Sequence, residues 1–285
     1  MFRFTPRIRI GAILCLTILG MLTDSSQALS QQSLRWKFTS GTTWRVTTTQ
    51  EISTSINNRP KTVSQSLSMD WNIVSVETDG TAIIDQVVKD LQVQIDGVVV
   101  FDSKKPTRSD AEEKIADRFQ SIIGQKITAK QSPLGEIAYL NTPQSTPDLL
   151  RSQAPESLLL FPEKPISVGS SWITEATRTI ELIGKLHTTN TWQYVGLEPN
   201  EGKKLHRFRV TPSFQIDDES QRELTRQEGS GNVWFDSEKG RIEKSEIIQA
   251  VDWKRTEGDL QIVQKYSTKT TSQFQDGAPS SETSP

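Results

Sequence analysis

The chain has 285 residues, with 33 Lys and Arg against 35 Asp and Glu, seven Trp, two His and a single Cys. Its formal net charge of −2 argues against a nucleic-acid-binding protein, because such proteins carry a basic patch or stripe. One Cys excludes an intramolecular disulfide and a cluster of thiolate metal ligands, and two His exclude a three-His metal site. The length suits one large domain or two small ones.

Residues 1–28 have the pattern of a secretory signal peptide. A basic start precedes the uncharged apolar run 10–22, which at 13 residues is shorter than the roughly 18–20 of a membrane-spanning helix. Ser26 and Ala28 place small side chains at the −3 and −1 positions of a cut after residue 28. We therefore expect export to the periplasm or the extracellular space, and a mature protein that does not span a membrane. An uncleaved N-terminal anchor is the alternative.

The body of the chain is predicted to be mainly β. Turn signals separate runs of roughly 10–15 residues rich in Thr, Val, Ile and Trp, which favour strands. In three of these runs every second residue is predicted to face a core: Trp44, Val46, Thr48, Ile52, Thr54 and Ile56; Val63, Leu67, Met69, Trp71 and Ile73; His206, Phe208, Val210, Phe214 and Ile216. This alternation indicates long antiparallel strands, and Asp96-Gly97 indicates a type I′ hairpin. Strands of this length must form a curved sheet, a half-barrel or a sandwich.

Two short helices are predicted in the middle of the chain. Ser109-Asp110-Ala111-Glu112 is a capping box, and apolar residues at helical spacing extend this helix over about 109–123. Thr146-Pro147-Asp148 opens a second helix in a helical linker, 146–165. Residues 275–285 are small and polar, which predicts a disordered tail.

The two β regions, 29–145 and 166–274, are predicted to be copies of one β-meander. Gly41-Thr42-Thr43-Trp44 recurs as Gly169-Ser170-Ser171-Trp172, and Trp71 has its counterpart in Trp192. Matching order at near-constant offsets favours duplication, with the helices lying between the copies. Chance similarity among Thr-rich strands is the alternative.

Several short motifs resemble an uncharacterised family of exported bacterial β-proteins of unknown function. They are Leu34-Arg35-Trp36-Lys37-Phe38, Gly41-Thr42-Thr43-Trp44, Ser132-Pro133-Leu134-Gly135-Glu136 and Pro165-Ile166-Ser167-Val168-Gly169-Ser170-Ser171-Trp172. The resemblance covers about residues 34–272 and implies no activity. The expected architecture is loosely similar to LolA-like periplasmic lipoprotein carriers, in which helices cover the concave side of an open half-barrel; a similarity of architecture does not imply a function.

The sequence predicts no catalytic residue, no metal site and no cofactor. It lacks a Gly-x-Ser-x-Gly elbow, a P-loop and a dinucleotide fingerprint. His206 is predicted to be a partly buried structural residue at a strand start, and an unrecognised hydrolase is the least favoured function.

The predicted function is that of a non-enzymatic envelope protein that binds or carries an apolar ligand such as a lipid. The candidate lining residues are Trp71, Ile115, Phe119, Ile122 and Trp192, which would form a partly open apolar cavity beneath a helical lid. The alternative role for these residues is to complete a core. The alternative function is a structural or interaction scaffold whose sheet surfaces contact an envelope protein partner.

Overall fold

The computed structural model describes residues 31–105, 119–141, 159–180, 184–200, 202–217, 223–257 and 260–277. The predicted signal peptide lies outside these ranges. The described residues form one antiparallel sheet of 12 strands: β1 (Thr43–Ile56), β2 (Arg59–Val76), β3 (Ala82–Ile95), β4 (Val98–Asp102), β5 (Lys126–Gln131), β6 (Ile137–Asn141), β7 (Ser171–Ile180), β8 (Gly184–Asn200), β9 (Lys203–Asp217), β10 (Glu223–Asp236), β11 (Arg241–Glu257) and β12 (Leu260–Asp276). The spatial order is β6-β5-β3-β2-β1-β12-β11-β10-β9-β8-β7, and β4 pairs with β3 beside β5.

The prediction of a mainly β protein with a curved antiparallel sheet is confirmed, and the sheet is open and continuous rather than a sandwich. The predicted apolar faces of β1, β2 and β9 all lie on one side, which we call the inner face. Leu67 and Ile73 on β2 and Phe208 on β9 are almost fully buried there. The opposite, outer face carries ion pairs such as the one between Arg45 and Asp70.

The strands of the two predicted copies pair in the same order. Each predicted copy forms a run of neighbouring antiparallel strands: β1-β2-β3-β5-β6 in the first and β7-β8-β9-β10-β11 in the second. β12 pairs with both β11 and β1. The repeated tryptophans pair in the same way, since Trp44 lies opposite Trp71 and Trp172 lies opposite Trp192. A duplicated meander predicts this arrangement; common ancestry of the halves stays an interpretation.

Two tight hairpins follow from residues that accept a positive φ. Asp96 and Gly97 have φ values of 50° and 81° between the paired residues Ile95 and Val98, which confirms the predicted turn. In the β1–β2 hairpin both central residues are Asn, with φ values of 48° and 63°. Asn tolerates the left-handed region better than most residues, so β1 and β2 pair directly through this tight turn.

Glycines on β10 allow its neighbours to close over the inner face. A Cβ on Gly231 would lie 2.9 Å from side-chain atoms of both Val210 on β9 and Ile247 on β11. A Cβ on Gly229 would lie 2.4 Å from Pro212 on β9. Only glycine leaves this space, so the side chains of β9 and β11 pack close to the backbone of β10.

Two non-strand segments, 31–38 and 159–166, cross the inner face at one end of the sheet. The backbone of Trp36 bonds to Pro133 beyond β5, and the backbone N–H of Phe161 donates to Leu134 O at 2.8 Å. The indole of Trp172, on edge strand β7, donates to Leu160 O at 2.7 Å. The second segment thus contacts both edges of the open sheet, which the curvature brings within its reach.

The end covered by these segments holds the largest core cluster, and we call it the aromatic end. Its buried aromatic residues are Trp36, Trp44, Trp71, Phe161, Trp192, Tyr194, Phe208, Phe235 and Phe274. Ring pairs here are edge-to-face or stacked, as between Phe161 and Phe235 at 4.9 Å, which adds about 0.5–1.5 kcal/mol per pair beyond burial. The aromatic end is therefore the main source of packing energy among the described residues.

The described residues do not support the prediction of two short helices, and they contain a single helical turn. Phe119 and Gln120 are helical, the backbone N–H of Ile122 donates to Phe119 O at 3.1 Å, and Gly124 ends the turn with a φ of 79°. Residues 109–118 of the first helix and 146–158 of the second lie outside the described ranges. Residues 159–165 are not helical, because Pro162 and Pro165 remove backbone donors. β12 continues to Asp276, two residues into the predicted tail, and residues 278–285 lie outside the described part.

Candidate functional site

The inner face carries a second apolar cluster at the end opposite the aromatic end. We call this the distal end, and the distal cluster comprises Phe214, Val251, Trp253 and the partly buried Tyr266. Val251 and Tyr266 lie directly opposite each other on β11 and β12. Every described member of this cluster belongs to a strand, whereas Trp36 and Phe161 at the aromatic end come from covering segments.

The last inward-facing row of the distal end is apolar and partly exposed. Register places Ile56, Gln264, Trp253 and Leu224 side by side on β1, β12, β11 and β10. Ile56 is 51% exposed and Leu224 is 39% exposed, while Trp253 is buried and its indole N–H donates to the Gln264 amide oxygen. An apolar surface thus leads from the rim of the sheet to the distal cluster.

Trp71 and Trp192, two of the predicted lining residues, belong to the aromatic-end core. Trp192 is fully buried, stacks on Trp172 at 6.5 Å, and its indole N–H donates to Thr174 Oγ1 at 3.0 Å. Trp71 packs edge-to-face on Phe274 at 5.6 Å, but its indole N–H is buried without a hydrogen-bond partner in the described part of the chain. Trp71 and Trp192 therefore belong to the same cluster, and the indole N–H of Trp71 has no acceptor in the described part of the chain.

Phe119 and Ile122 lie in a different cluster from the tryptophans. They pack with Phe101 and with inner-face residues of β2, β3 and β5, and Ile122 is fully buried. Ile115, the fifth predicted lining residue, lies outside the described ranges. The described candidates thus separate into two clusters, and contact with a ligand stays a prediction for all of them.

His206 lies at the start of β9 and is 3% exposed, which agrees with its predicted burial. One ring nitrogen, Nδ1, lies 2.8 Å from the Tyr194 hydroxyl, and the other, Nε2, lies 3.1 Å from Ser237 Oγ. Burial lowers the pKa of His206, and the nearby Asp236 carboxylate opposes this effect. A Ser and a His are therefore in contact, with a Tyr in place of the carboxylate of a catalytic triad.

The turn around Ser237 lacks the free donors that acyl transfer needs. The backbone N–H groups of Glu238 and Lys239 donate to Asp236 Oδ1 at 2.9 and 3.0 Å, and the N–H of Gly240 donates to Asp236 O at 2.8 Å. An oxyanion hole requires unoccupied N–H groups aimed at the developing charge. This geometry favours a structural role for the His206 group.

Two further features concern the described part of the chain as a whole. No group of three or more His, Cys, Asp or Glu residues there is arranged to hold a metal ion. Within the same ranges, no helix has the length and apolar character needed to cross a bilayer.

The distal cluster was only partly visible in the sequence. The sequence predicts that Phe214 lies on an apolar strand face, and Val251 and Trp253 occupy alternate positions on β11. β12 instead alternates Tyr266 with a run of Thr, Ser and Gln, so its inner face has no clear hydrophobic signal. The cross-strand register, which the sequence does not specify, brings these residues together.

The described residues define a mainly β protein built on one open, curved antiparallel sheet with a covered aromatic end and an apolar distal end. No family model matches the chain, and no curated protein matches it. Among solved structures it is similar to a DUF1329 family protein from Desulfovibrio piger, at 8% identity and a TM-score of 0.22, over 84% of this chain and 87% of that one. At this TM-score the similarity carries no argument about fold or function.

Proposed function

We propose that this chain is an exported, non-enzymatic envelope protein that binds an apolar ligand, such as a lipid, on the distal part of its inner face. The distal cluster and the partly exposed apolar row beside it are the observation that supports this proposal. Export rests on the pattern of residues 1–28, and the absence of enzymatic activity is supported by the occupied N–H groups after Ser237.

The physical argument is that a sheet with an apolar face needs a second layer. At the aromatic end, segments 31–38 and 159–166 provide that layer. The described members of the distal cluster all come from the sheet itself. An acyl chain laid along the inner face would bury apolar area there, at roughly 0.8 kcal/mol per CH₂ removed from water.

The proposal predicts that native protein carries its ligand through purification. The full-length gene is expressed in a bacterial host, and the protein is purified from envelope and periplasmic fractions. Organic extraction and mass spectrometry should then find a lipid in stoichiometric amount. The intact mass should also correspond to a chain beginning at Leu29. Absence of lipid from properly folded protein contradicts the binding proposal, and an unprocessed N-terminus contradicts the predicted cleavage.

A matched pair of substitutions on β11 tests the location. Val251→Thr places a hydroxyl in the distal cluster, whereas Ile248→Thr places one on the outer face, where Ile248 is 52% exposed. A hydroxyl buried in an apolar contact costs about 1–2 kcal/mol, which corresponds to roughly tenfold weaker binding. Titration with 1-N-phenylnaphthylamine should show this loss for Val251→Thr alone; equal affinities of both variants and the parent protein would place the ligand elsewhere.

The scaffold function is a second candidate, favoured by the two edges of the sheet. β6 and β7 are the terminal strands of the described sheet, and both carry exposed apolar side chains, with Leu140 58% and Ile173 62% exposed. Edge strands offer unpaired backbone groups to a partner strand. Crosslinking in intact envelopes should trap a defined hetero-complex through these edges, and recovery of monomer alone contradicts this candidate.

A further inference from the structure

Between the aromatic end and the distal end, the inner face is polar but uncharged. On β1 and β12, Thr48 lies opposite Ser272 and Gln50 lies opposite Thr270. The three middle rows of inward positions on the four central strands are Val63, Gln65 and Leu67 on β2; Thr48, Gln50 and Ile52 on β1; Thr268, Thr270 and Ser272 on β12; and Ser245, Ile247 and Gln249 on β11. None of these residues is Asp, Glu, Lys or Arg; on β2 the inward positions Lys61 and Arg59, opposite Thr54 and Ile56, lie nearer the distal rim.

The polar side chains of this set, which we call the uncharged band, bond mainly to one another. Thr48 Oγ1 lies 3.1 Å from Ser272 Oγ, the Gln50 amide donates to Thr270 Oγ1 at 3.4 Å, and the Gln65 amide donates to Gln50 Oε1. Gln65 and Thr268 are each only 4% exposed. An ionised group placed against this band would lose its hydration and find no counter-ion within the band.

Thr188 Oγ1 on β8 and Trp71 Nε1 on β2 are among the buried polar atoms that have no hydrogen-bond partner in the described part of the chain. Thr188 is 3% exposed and lies directly opposite Phe214 of the distal cluster, while Trp71 is 7% exposed at the aromatic end. An indole N–H only donates, and a hydroxyl donates or accepts. A neutral carbonyl oxygen would satisfy either donor without bringing a charge.

We infer that the ligand of this inner face is an electrically neutral amphiphile, an acyl ester or acyl amide whose chain lies on the distal cluster and whose carbonyl lies against the uncharged band. The inference rests on the proposed function and narrows its ligand class. Apolar surface recognises the chain, hydroxyl and amide side chains recognise the ester or amide, and the lack of charge in the uncharged band disfavours an ionised carboxylate there.

Two ligands of equal chain length test this inference. Glycerol monododecanoate and dodecanoic acid compete with 1-N-phenylnaphthylamine for delipidated full-length protein at pH 8 and pH 5. At pH 8, where the acid is ionised, the ester should bind at least tenfold more tightly. At pH 5 the gap should narrow, because much of the acid becomes neutral. Equal or tighter binding of the acid at pH 8 overturns the inference while leaving the proposed function intact; failure of both ligands and of the probe to bind overturns the proposed function itself.

Thr188→Val tests the predicted contact without removing volume. Its matched control is Thr189→Val, the next residue on β8, which faces the other side of the sheet. Thr188→Val should weaken ester binding about fivefold, yet its ligand-free thermal midpoint should stay equal or rise, because an unpaired buried hydroxyl is removed. Thr189→Val should leave the affinity unchanged. Unchanged ester affinity in Thr188→Val overturns the assignment of Thr188 to the ligand carbonyl.

Discussion

The two ends of the inner face are built from the same strands but are covered differently. β9, β11 and β12 contribute side chains to both the aromatic-end core and the distal cluster. At the aromatic end, Trp36 and Phe161 arrive from outside the strands and interlock with them, whereas the described distal cluster consists of strand residues alone. The sheet therefore sets the position of both apolar surfaces, and in the described part of the chain segments 31–38 and 159–166 add residues from outside the strands to one of them.

The largest expected effect is at the aromatic end. Trp36 is 2% exposed, its indole N–H donates to Leu159 O at 3.0 Å, and its ring contacts four other aromatic rings. Trp36→Ala should lower the free energy of unfolding by about 3–5 kcal/mol, as large cavities in cores do. Urea denaturation followed by circular dichroism measures this loss.

The corresponding substitution at the distal end is Trp253→Ala. Trp253 is 7% exposed, but its cluster has only three other members, so the free energy of unfolding should fall by a smaller amount, about 1–3 kcal/mol. Equal losses in the two variants would mean that the distal end is packed as tightly as the aromatic end, and the contrast between them would be lost.

A second prediction concerns the contact between segment 31–38 and the sheet. Gly240 has a φ of 66°, and a Cβ there would lie 2.3–2.5 Å from atoms of Lys37, whose N–H donates to Gly240 O. Gly240→Ala should cost about 3 kcal/mol of stability, because left-handed strain and overpacking add. The control is Gly41→Ala, where φ is 81° but no atom lies within 4 Å, so only the strain of about 1–2 kcal/mol remains. Similar costs in both would show that segment 31–38 does not press on this turn.

The sequence predicts the strands of the sheet better than it predicts which segments cover the inner face, and the reason is physical. Alternating residues such as Leu67, Met69 and Trp71 report the burial of a strand face, and turn residues such as Asp96-Gly97 report a local backbone conformation. Both signals are local, and the structure confirms them. The covering role of Trp36 depends instead on contacts with residues that lie about 200 positions or more away in the sequence, such as Phe235 and Phe274.

The candidate site was less predictable for the same reason. The sequence groups Trp71 and Trp192, which hold equivalent positions in the two predicted copies, with Phe119 and Ile122, which follow a helical spacing. Neither signal says which cluster a side chain joins. The distal cluster depends on the register between β11 and β12, where Val251 meets Tyr266. Register over such long strands follows from the whole sheet and not from any short motif.

A third, smaller effect is expected at the ion pairs that hold the end of β12. Arg241 is 2% exposed, bonds to Asp276 at 2.6 Å and lies over the ring of Trp44. The pKa of Asp276 is lowered, chiefly by the hydrogen bond from Lys239 and further by Arg241. Asp276→Asn should cost about 1 kcal/mol at neutral pH, a modest amount because the carboxylate is largely exposed to solvent.

The pH dependence of this loss follows from the lowered pKa. A carboxyl group whose folded-state pKa is lowered stabilises fully above its unfolded pKa of about 3.9 and loses that contribution as pH falls through the folded-state pKa. The difference between parent and Asp276→Asn should therefore be constant from pH 5 to 8 and shrink below about pH 4 in urea titrations. Glu246→Gln, at an exposed position on β11, is the control. A difference that persists unchanged at pH 2.5 would assign the effect to packing instead of charge.

The smallest effect concerns His206, a titratable residue that is buried beside the aromatic end. Because burial lowers its pKa, the neutral ring stabilises the fold fully above the unfolded value of about 6.5, and this contribution is lost as pH falls through the folded-state pKa. The chain has two His, so His187→Gln leaves a single imidazole whose ring proton resonances can be followed by NMR. We expect its midpoint below 6.5, and His206→Gln should remove the corresponding loss of stability between pH 7 and 5. A midpoint at or above 6.5 would mean that the Asp236 carboxylate outweighs burial in setting the pKa of His206.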